Sequence, residues 1–305
     1  MKIARLAFFF FLLSPLARAE WTHQTVEGAG EVPLNVVTAG NPESPPILFI
    51  HGIGQSHYSF VHQLNSDLAN DFFLVTFDLR GHGASGKPWA PEAYQPRSVW
   101  ADDVDAVIEA TGIQKPVVMA WSYGTLVLMD YIRERGADNL VAINLTGALG
   151  SLVPVRLPTN DPNTEEFLRL RKLRQSPNLA DKIRASEGMS RWLTATPMAD
   201  DDKRLFDAIS QMLPAYARTP MMQRPFNNED LLDGLDMPVL LSLGSEDNPL
   251  QLEDGAALAK GHKNISLSVF EGAGHSVFFE QPERFNRELR TFVEASLRAH
   301  ETPEP

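Results

Sequence analysis

Hydrophobic positions in the two outer parts of the chain alternate between two patterns. Short, solid apolar runs such as residues 47–50 and 117–120 are typical of strands that are buried on both faces of a parallel sheet. Longer segments with apolar residues three and four apart, such as 99–110 and 125–135, predict helices between the strands. This alternation predicts an α/β fold with a mostly parallel central sheet flanked by helices.

The remaining regular elements continue the alternation. Residues 22–26 and 32–38, separated by a glycine turn, predict an opening hairpin. Further strands are predicted at 72–77, 140–145, 239–243 and 265–270, and further helices at 58–68, 252–260 and 282–299. Because the pattern resumes towards the carboxyl end, residues 20–150 and 234–300 are predicted to form one α/β core.

Between residues 151 and 233 the strand pattern stops. Two helices are predicted in this stretch by apolar residues at helical spacing. These residues are Phe167, Leu168, Leu170 and Leu173 in the first helix and Leu205, Ala208, Ile209 and Met212 in the second. We interpret residues 151–233 as a helical cap that is inserted into the core and sits over the sheet.

The first nineteen residues have the pattern of a secretory signal peptide. Lys2 and Arg5 precede a continuous apolar run at 6–13, which is too short to span a bilayer because a spanning helix needs about 20 residues. Ala17-Arg18-Ala19 then supplies the small-x-small pattern of a cleavage site. We therefore predict cleavage after Ala19 and export to the periplasm or the medium.

Charge and cysteine content limit the possible partners. The 305 residues carry a formal net charge of −12, and loss of the signal peptide with its three positive charges takes the mature protein to −15. Such an acidic body repels phosphate backbones and anionic lipid surfaces, so nucleic acid and a stable membrane anchor are not expected. The absence of cysteine excludes disulfides, thiol catalysis and cysteine-ligated metals. A small-molecule substrate is the expected partner, and the oligomeric state is left open.

Ser122 is the candidate nucleophile. It lies in Ala120-Trp121-Ser122-Tyr123-Gly124, between a predicted strand and a predicted helix. A serine on a sharp strand-to-helix turn needs small residues two positions away on either side, because its backbone is strained and neighbouring elements crowd it. Gly124 meets this requirement, and Ala120 departs from the usual glycine by one methyl group.

His275 and Asp247 are the candidate base and acid. His275 ends the glycine-rich segment Glu271-Gly272-Ala273-Gly274-His275 after the last predicted strand, and Asp247 follows the strand before it. Ligands of open α/β sheets bind at the edge where the carboxyl ends of such strands meet. A carboxylate there can hold the tautomer of the imidazole and stabilise its protonated form. Glu246, one position earlier, is an alternative acid.

Two backbone N–H groups are candidates for an oxyanion hole. One belongs to Tyr123, at the start of the helix after Ser122, and the other belongs to Ile53 in the loop His51-Gly52-Ile53-Gly54. Donors aimed at a developing oxyanion are worth about 3–4 kcal/mol each in acyl transfer. We interpret His51 as a hydrogen-bonding residue that shapes the loop and not as a proton carrier.

These segments, together with Asp78-Leu79-Arg80-Gly81-His82-Gly83-Ala84-Ser85, resemble the α/β-hydrolase superfamily. Within it the chain is similar to the serine-nucleophile group of esterases, lactonases and cofactor-free haloperoxidase-like enzymes. The resemblance covers about residues 30–298 and is weakest in the cap. It implies a catalytic triad in the order Ser122, Asp247, His275. Ser122 replaces the aspartate that haloalkane dehalogenases and epoxide hydrolases use, so these two activities are not expected.

Neither a metal nor an organic cofactor is expected, because the sequence shows no convincing ligand set, phosphate loop or dinucleotide fingerprint. Methionine and aromatic residues in the cap favour an uncharged, hydrophobic acyl or alcohol group. The sequence therefore predicts a hydrolase that cleaves a small hydrophobic carboxylic ester or lactone through an acyl-enzyme on Ser122. A carbon–carbon bond hydrolase, a thioesterase and an aminopeptidase stay open as alternatives, as does a ligand-binding receptor of the same fold.

Overall fold

The computed structural model describes residues 20–301, so the predicted signal peptide at 1–19 lies outside the described residues. Within this range the strands are β1 (Thr22–Gly28), β2 (Val32–Ala39), β3 (Pro46–Ile50), β4 (Phe73–Phe77), β5 (Val117–Trp121), β6 (Ala142–Thr146), β7 (Val239–Gly244) and β8 (Ile265–Phe270). Every predicted strand is confirmed, with each end displaced by at most two residues.

The strands form one sheet in the order β1-β2-β4-β3-β5-β6-β7-β8. β2 pairs antiparallel with β1 and with β4, and the remaining neighbours pair parallel. The prediction of a mostly parallel sheet is therefore confirmed. Because β3, β5, β7 and β8 run in the same direction, the loops that follow them emerge at the same edge of the sheet.

Helices cover both faces of the sheet. They are α1 (Val61–Leu64), α2 (Leu68–Asp71), α3 (Arg97–Thr111), α4 (Tyr123–Arg135), α5 (Pro162–Leu173), α6 (Leu179–Ser190), α7 (Asp200–Gln211), α8 (Ala215–Gln223), α9 (Pro249–Gly261), α10 (Val277–Glu280) and α11 (Pro282–Glu301). Among the described helices, none is long and apolar enough to cross a membrane.

Side chains of successive strand residues pack into two separate hydrophobic layers. In β3, Leu48 and Ile50 join the layer that contains α3, α4 and α9. Ile47 and Phe49 join the opposite layer, which contains α1, α2, α10 and α11. The central strands are therefore buried on both faces, and this is the physical reason that their sequences are solid apolar runs.

The prediction of one continuous helix at 58–68 is wrong. The segment forms a 3-10 turn at His57–Phe60 and the two short helices α1 and α2. Residues 65–67 separate these helices. The side chains of Asn65 and Ser66 donate hydrogen bonds of 2.9 Å to the Val61 carbonyl and 2.7 Å to the Gln63 carbonyl. Side chains that satisfy the backbone locally compete with continuation of a helix.

Residues between β6 and β7 contain helices α5 to α8, of which the sequence predicted α5 and α7. The predicted apolar stripe of α7 is wrong in part, since Leu205 is 37% exposed and Met212 is 45% exposed. Phe206 is buried instead, with its ring centroid 5.0 Å from that of Phe279 on α10. Contact between these two rings, which the spacing of apolar residues does not reveal, sets which side of α7 faces the core.

Candidate active site

Ser122 occupies a sharp turn between β5 and α4. Its backbone has φ 54° and ψ −117°, a conformation that costs a non-glycine residue about 1–3 kcal/mol. The turn is held by a hydrogen bond of 3.0 Å from the Ser122 N–H to the Thr146 carbonyl. A Cβ atom on Gly124 would lie 2.3 Å from the Ile50 carbonyl oxygen, so the first turn of α4 requires glycine where it passes the end of β3.

His275 and Asp247 are joined by a hydrogen bond of 2.8 Å between Nδ1 and Oδ2. Their loops pack so closely that a Cβ atom on Gly244 would lie 2.1 Å from the Gly274 carbonyl oxygen. Glu246 is exposed, and its carboxylate accepts a hydrogen bond of 3.2 Å from the Ser245 hydroxyl. The structure thus brings Asp247, and not its neighbour, to the imidazole.

The loop after β6 lies between Ser122 and His275. The Thr146 carbonyl accepts the hydrogen bond from the Ser122 N–H. A Cβ atom on the next residue, Gly147, would lie 3.2 Å from His275 Nδ1. Trp121 Nε1 also donates a hydrogen bond of 2.9 Å to the His275 carbonyl. The three residues predicted as a triad therefore share one edge of the sheet. Sequence reasoning gave Trp121 no role, because a tryptophan at the end of a buried strand gives no signal beyond core packing.

The pKa of His275 reflects two opposing influences. Burial lowers it, whereas the charge of Asp247 and the hydrogen bond to its carboxylate raise it, and the net shift is upward from the ordinary value of 6.5. Since Nδ1 donates to Asp247, the proton-accepting nitrogen of the neutral ring is Nε2. The geometry therefore provides a base with a fixed tautomer.

The loop after β3 forms a turn closed by a hydrogen bond of 3.2 Å from the Gln55 N–H to the Gly52 carbonyl. Gly54, the third residue of this turn, has φ +74°, the positive value that a type II turn requires at that position. A Cβ atom on Gly52 would lie 3.2 Å from Ser122 Cβ, so the turn passes beside the serine. Among the described residues, the N–H groups of Ile53 and Tyr123 have no hydrogen-bond acceptor. Both predicted oxyanion donors are therefore available at this edge.

His51 uses both ring nitrogens to shape the loop. Nδ1 donates a hydrogen bond of 2.8 Å to the Gly52 carbonyl, and Nε2 accepts one of 2.9 Å from the Leu79 N–H. Burial lowers its pKa to about 4, so the ring is neutral at neutral pH. With both nitrogens engaged by backbone groups, His51 has no site from which to transfer a proton.

Two side chains that the sequence did not single out tie the site to the cap. Glu280 accepts hydrogen bonds of 2.7 Å from the N–H of Gly274, next to His275, and 2.7 Å from the N–H of Ala195 in the cap. Arg224 follows α8 and donates a hydrogen bond of 2.8 Å to the Tyr123 hydroxyl. These contacts join positions far apart in the chain, so no local pattern could have indicated them.

The fold and this edge together define a class of enzyme: an α/β core that carries a strained serine and a hydrogen-bonded His–Asp pair on the loops after its parallel strands. In the part of the chain that the structure describes, no group of three or more His, Cys, Asp or Glu side chains could hold a metal ion. Residues 47–288 match the model of the alpha/beta hydrolase family. The chain belongs to this family.

Comparison with known proteins agrees with this assignment. The AB hydrolase superfamily protein YisY of Bacillus subtilis is 26% identical over 254 residues, 81% of this chain and 91% of that protein. A pimeloyl-[acyl-carrier protein] methyl ester esterase of Neisseria meningitidis is 29% identical over 272 residues, 83% and 94% of the two chains. The crystal structure of esterase RhEst1 from Rhodococcus sp. ECU1013 has a TM-score of 0.78 and 27% identity, covering 89% of this chain and 98% of that one. The chain is thus an α/β-hydrolase enzyme, similar over most of its length to esterases.

Proposed function

We propose that this enzyme is a serine hydrolase that cleaves a small carboxylic ester or lactone through an acyl-enzyme on Ser122. The observation that carries the proposal is the 2.8 Å hydrogen bond between His275 Nδ1 and Asp247 Oδ2, at the sheet edge that also holds Ser122. A base whose Nδ1 is held by a carboxylate presents Nε2 to a neighbouring hydroxyl, which is the arrangement that activates serine nucleophiles.

In this mechanism the Ser122 hydroxyl attacks the ester carbonyl while His275 Nε2 takes up its proton. The negative charge that develops on the carbonyl oxygen is stabilised by the N–H groups of Ile53 and Tyr123. His275 then returns the proton to the departing alcohol, which leaves the acyl group on Ser122. A water molecule, deprotonated by the same imidazole, releases the acid and regenerates the serine.

Two further observations support catalysis over ligand binding alone. Holding Ser122 in its strained conformation costs about 1–3 kcal/mol, and a receptor without turnover has no use for this cost. The two similar proteins described above as esterases cover most of this chain, which favours an ester over a thioester, an amide or a carbon–carbon bond. Nucleophile, base and orienting acid are all supplied by side chains, so the proposed reaction uses no cofactor.

A fluorophosphonate probe combined with Ser122→Ala tests the proposal. The probe should label the wild-type protein at Ser122, and Ser122→Ala should lose both the label and about 10⁴–10⁶ in kcat towards short-chain esters, the loss seen when a triad member is removed. Ser151→Ala is the matched control, because Ser151 is also a serine with positive φ, 55°. Labelling that persists in Ser122→Ala, in a protein shown by thermal unfolding to be folded, would contradict the assignment of the nucleophile.

A further inference from the structure

Two arginines of the cap meet at the loop that carries Ile53. Arg218 lies in α8, and Arg174 directly follows α5. A Cβ atom on Gly54 would lie 2.7 Å from Arg218 Nη2 and 3.2 Å from Arg174 Nη2. Both guanidinium groups therefore rest against Gly54, the residue after the proposed oxyanion donor.

These arginines lack carboxylate partners, and Arg218 is buried whereas Arg174 is half-buried. Arg218 is 6% exposed, yet no carboxylate of residues 20–301 lies within 4.0 Å of it, and none of those residues accepts a hydrogen bond from it. Arg174 donates a hydrogen bond to the Ser210 hydroxyl and likewise has no carboxylate within 4.0 Å in the described range. Buried charges are ordinarily paired, because an unpaired charge is costly to remove from water.

Other buried arginines of this protein follow the usual rule. Arg80, 1% exposed, donates two hydrogen bonds of 2.6 Å to the carboxylate of Asp103. Arg224, 4% exposed, pairs with Asp130. The missing partner of Arg218 is therefore particular to this place in the molecule.

The electrostatics at Gly54 are unfavourable in the free protein. Burial lowers the pKa of Arg218 well below its ordinary value, and the positive charge of Arg174 lowers it further. Burial also lowers the pKa of Arg174 to about 10. An anion bound between the two guanidinium groups would relieve both the unmet charge and the mutual repulsion.

We propose that Arg174 and Arg218 bind an anionic oxygen group of the substrate, a carboxylate or a phosphate, close to the ester carbonyl. The proposal rests on the proposed ester hydrolysis at Ser122. Gly52 lies against Ser122 and Gly54 lies against the arginines, and two residues span at most about 7 Å. The anion and the reacting carbonyl can therefore belong to one small molecule.

Guanidinium groups suit this role because their planar donors match carboxylate and phosphate oxygens in pairs. The inference departs from the sequence-based expectation of an uncharged hydrophobic substrate. That expectation came from the methionines and aromatic residues of the cap. Nothing in the spacing of Arg174 and Arg218 indicates that both reach Gly54.

The first test compares matched esters. Monoethyl esters of dicarboxylic acids, from succinate to suberate, place a carboxylate on the acyl side, and butanoate esters of ω-hydroxy acids place it on the alcohol side. Each is paired with a neutral ester in which an isopropyl group replaces the carboxylate. In at least one series kcat/KM for the anionic ester should exceed that of its neutral partner by about 10- to 100-fold, the range expected for charge-assisted hydrogen bonds.

Arg218→Gln should bring the ratio of kcat/KM for the anionic ester to kcat/KM for its neutral partner down to about 1, mainly through a higher KM for the anionic ester. Arg184→Gln is the matched control, since Arg184 is an exposed arginine of α6 in the same cap. It should keep the preference. Cleavage of both ester types at equal rates by the wild type would overturn the anion site while leaving the proposed esterase activity standing.

A second test is independent of turnover. In Ser122→Ala, adipate or inorganic phosphate should raise the melting temperature in a saturable way, because a ligand that binds the folded state stabilises it. Adipamide should not, and the added change Arg218→Gln should abolish the effect. Stabilisation by one anion alone identifies the group that the site takes. If neither anion stabilises the protein, the proposal is wrong, whatever the outcome with esters.

Discussion

Two groups of charged side chains, one in the α/β core and one where the cap meets the loop after β3, differ in how their charges are balanced. In the core, Arg80 is held by Asp103, and His57 Nδ1 lies 2.8 Å from Asp78. In the cap, Arg174 and Arg218 approach the same loop without a carboxylate partner among the described residues. These core charges are paired in the free protein, which suits a rigid catalytic scaffold. The two arginines at Gly54 are not paired, although Arg224 of the cap is, which suits a place that the substrate itself completes.

The same two regions differ in how far the sequence predicts them. Each central strand of the core is buried on both faces, so its residues form a solid apolar run that is visible without any knowledge of the fold. In the cap, α6 and α8 were not predicted. Gly188 interrupts the pattern of α6 and Pro220 lies inside α8, and both residue types argue against a helix.

The candidate site shows the same division. Ser122, Asp247 and His275 could be proposed from the sequence because each lies in the turn or loop that follows a strand and within a short local pattern. Trp121 contacts the His275 carbonyl across 154 positions of the chain, and the arginines reach Gly54 from the end of α5 and from α8. Such contacts exist only once the chain has folded. Sequence reasoning therefore finds the chemistry on strand ends more readily than the residues that position it or select its substrate.

The largest expected effect comes from replacing each of two neighbouring carboxylates in the core loop after β7 by its amide. Asp247→Asn should lower kcat by about 10⁴, because the amide cannot stabilise the protonated imidazole and can hold His275 in the wrong tautomer. Glu246→Gln, one residue away on an exposed side chain, should cost far less. Steady-state kinetics on a neutral short-chain ester measures both variants.

We expect the two variants to differ by at least about a hundredfold in kcat, given the size of the triad effect. Circular dichroism and thermal unfolding should show that both remain folded. Equal losses would mean that the loop, and not the contact of Asp247 with His275, is what each change disturbs. A reversed order would transfer the role of acid to Glu246.

The next largest effect concerns the contact between cap and core. Phe206→Ala should lower the free energy of unfolding by about 3–5 kcal/mol, the usual cost of removing a buried phenylalanine, because its ring packs on Phe279. Leu205→Ala, on the more exposed side of the same helix, should cost less than about 1 kcal/mol. Urea unfolding followed by tryptophan fluorescence measures both. Equal costs would show that α7 does not bury the side on which Phe206 lies.

The smallest expected effect is on the pH dependence of kcat/KM, which reports the pKa of His275. His275 must be neutral to accept the serine proton, so kcat/KM should fall as the pH drops through its pKa. Burial lowers that pKa, but the charge and hydrogen bond of Asp247 raise it by more than burial lowers it. The midpoint of this acid limb should therefore lie above 6.5.

The control for this prediction is Arg218→Gln. No charge of the cap contributes to the pKa shift of His275, so this variant should leave the midpoint unchanged even where it alters KM. The profile of kcat/KM from about pH 5 to about pH 8, measured with a neutral ester, reports the pKa of the free enzyme. A midpoint below 6.5 would mean that burial outweighs Asp247. A midpoint that moves in Arg218→Gln would mean that the charge of Arg218 reaches the base, and the catalytic pair would then not be electrostatically independent of the two arginines at Gly54.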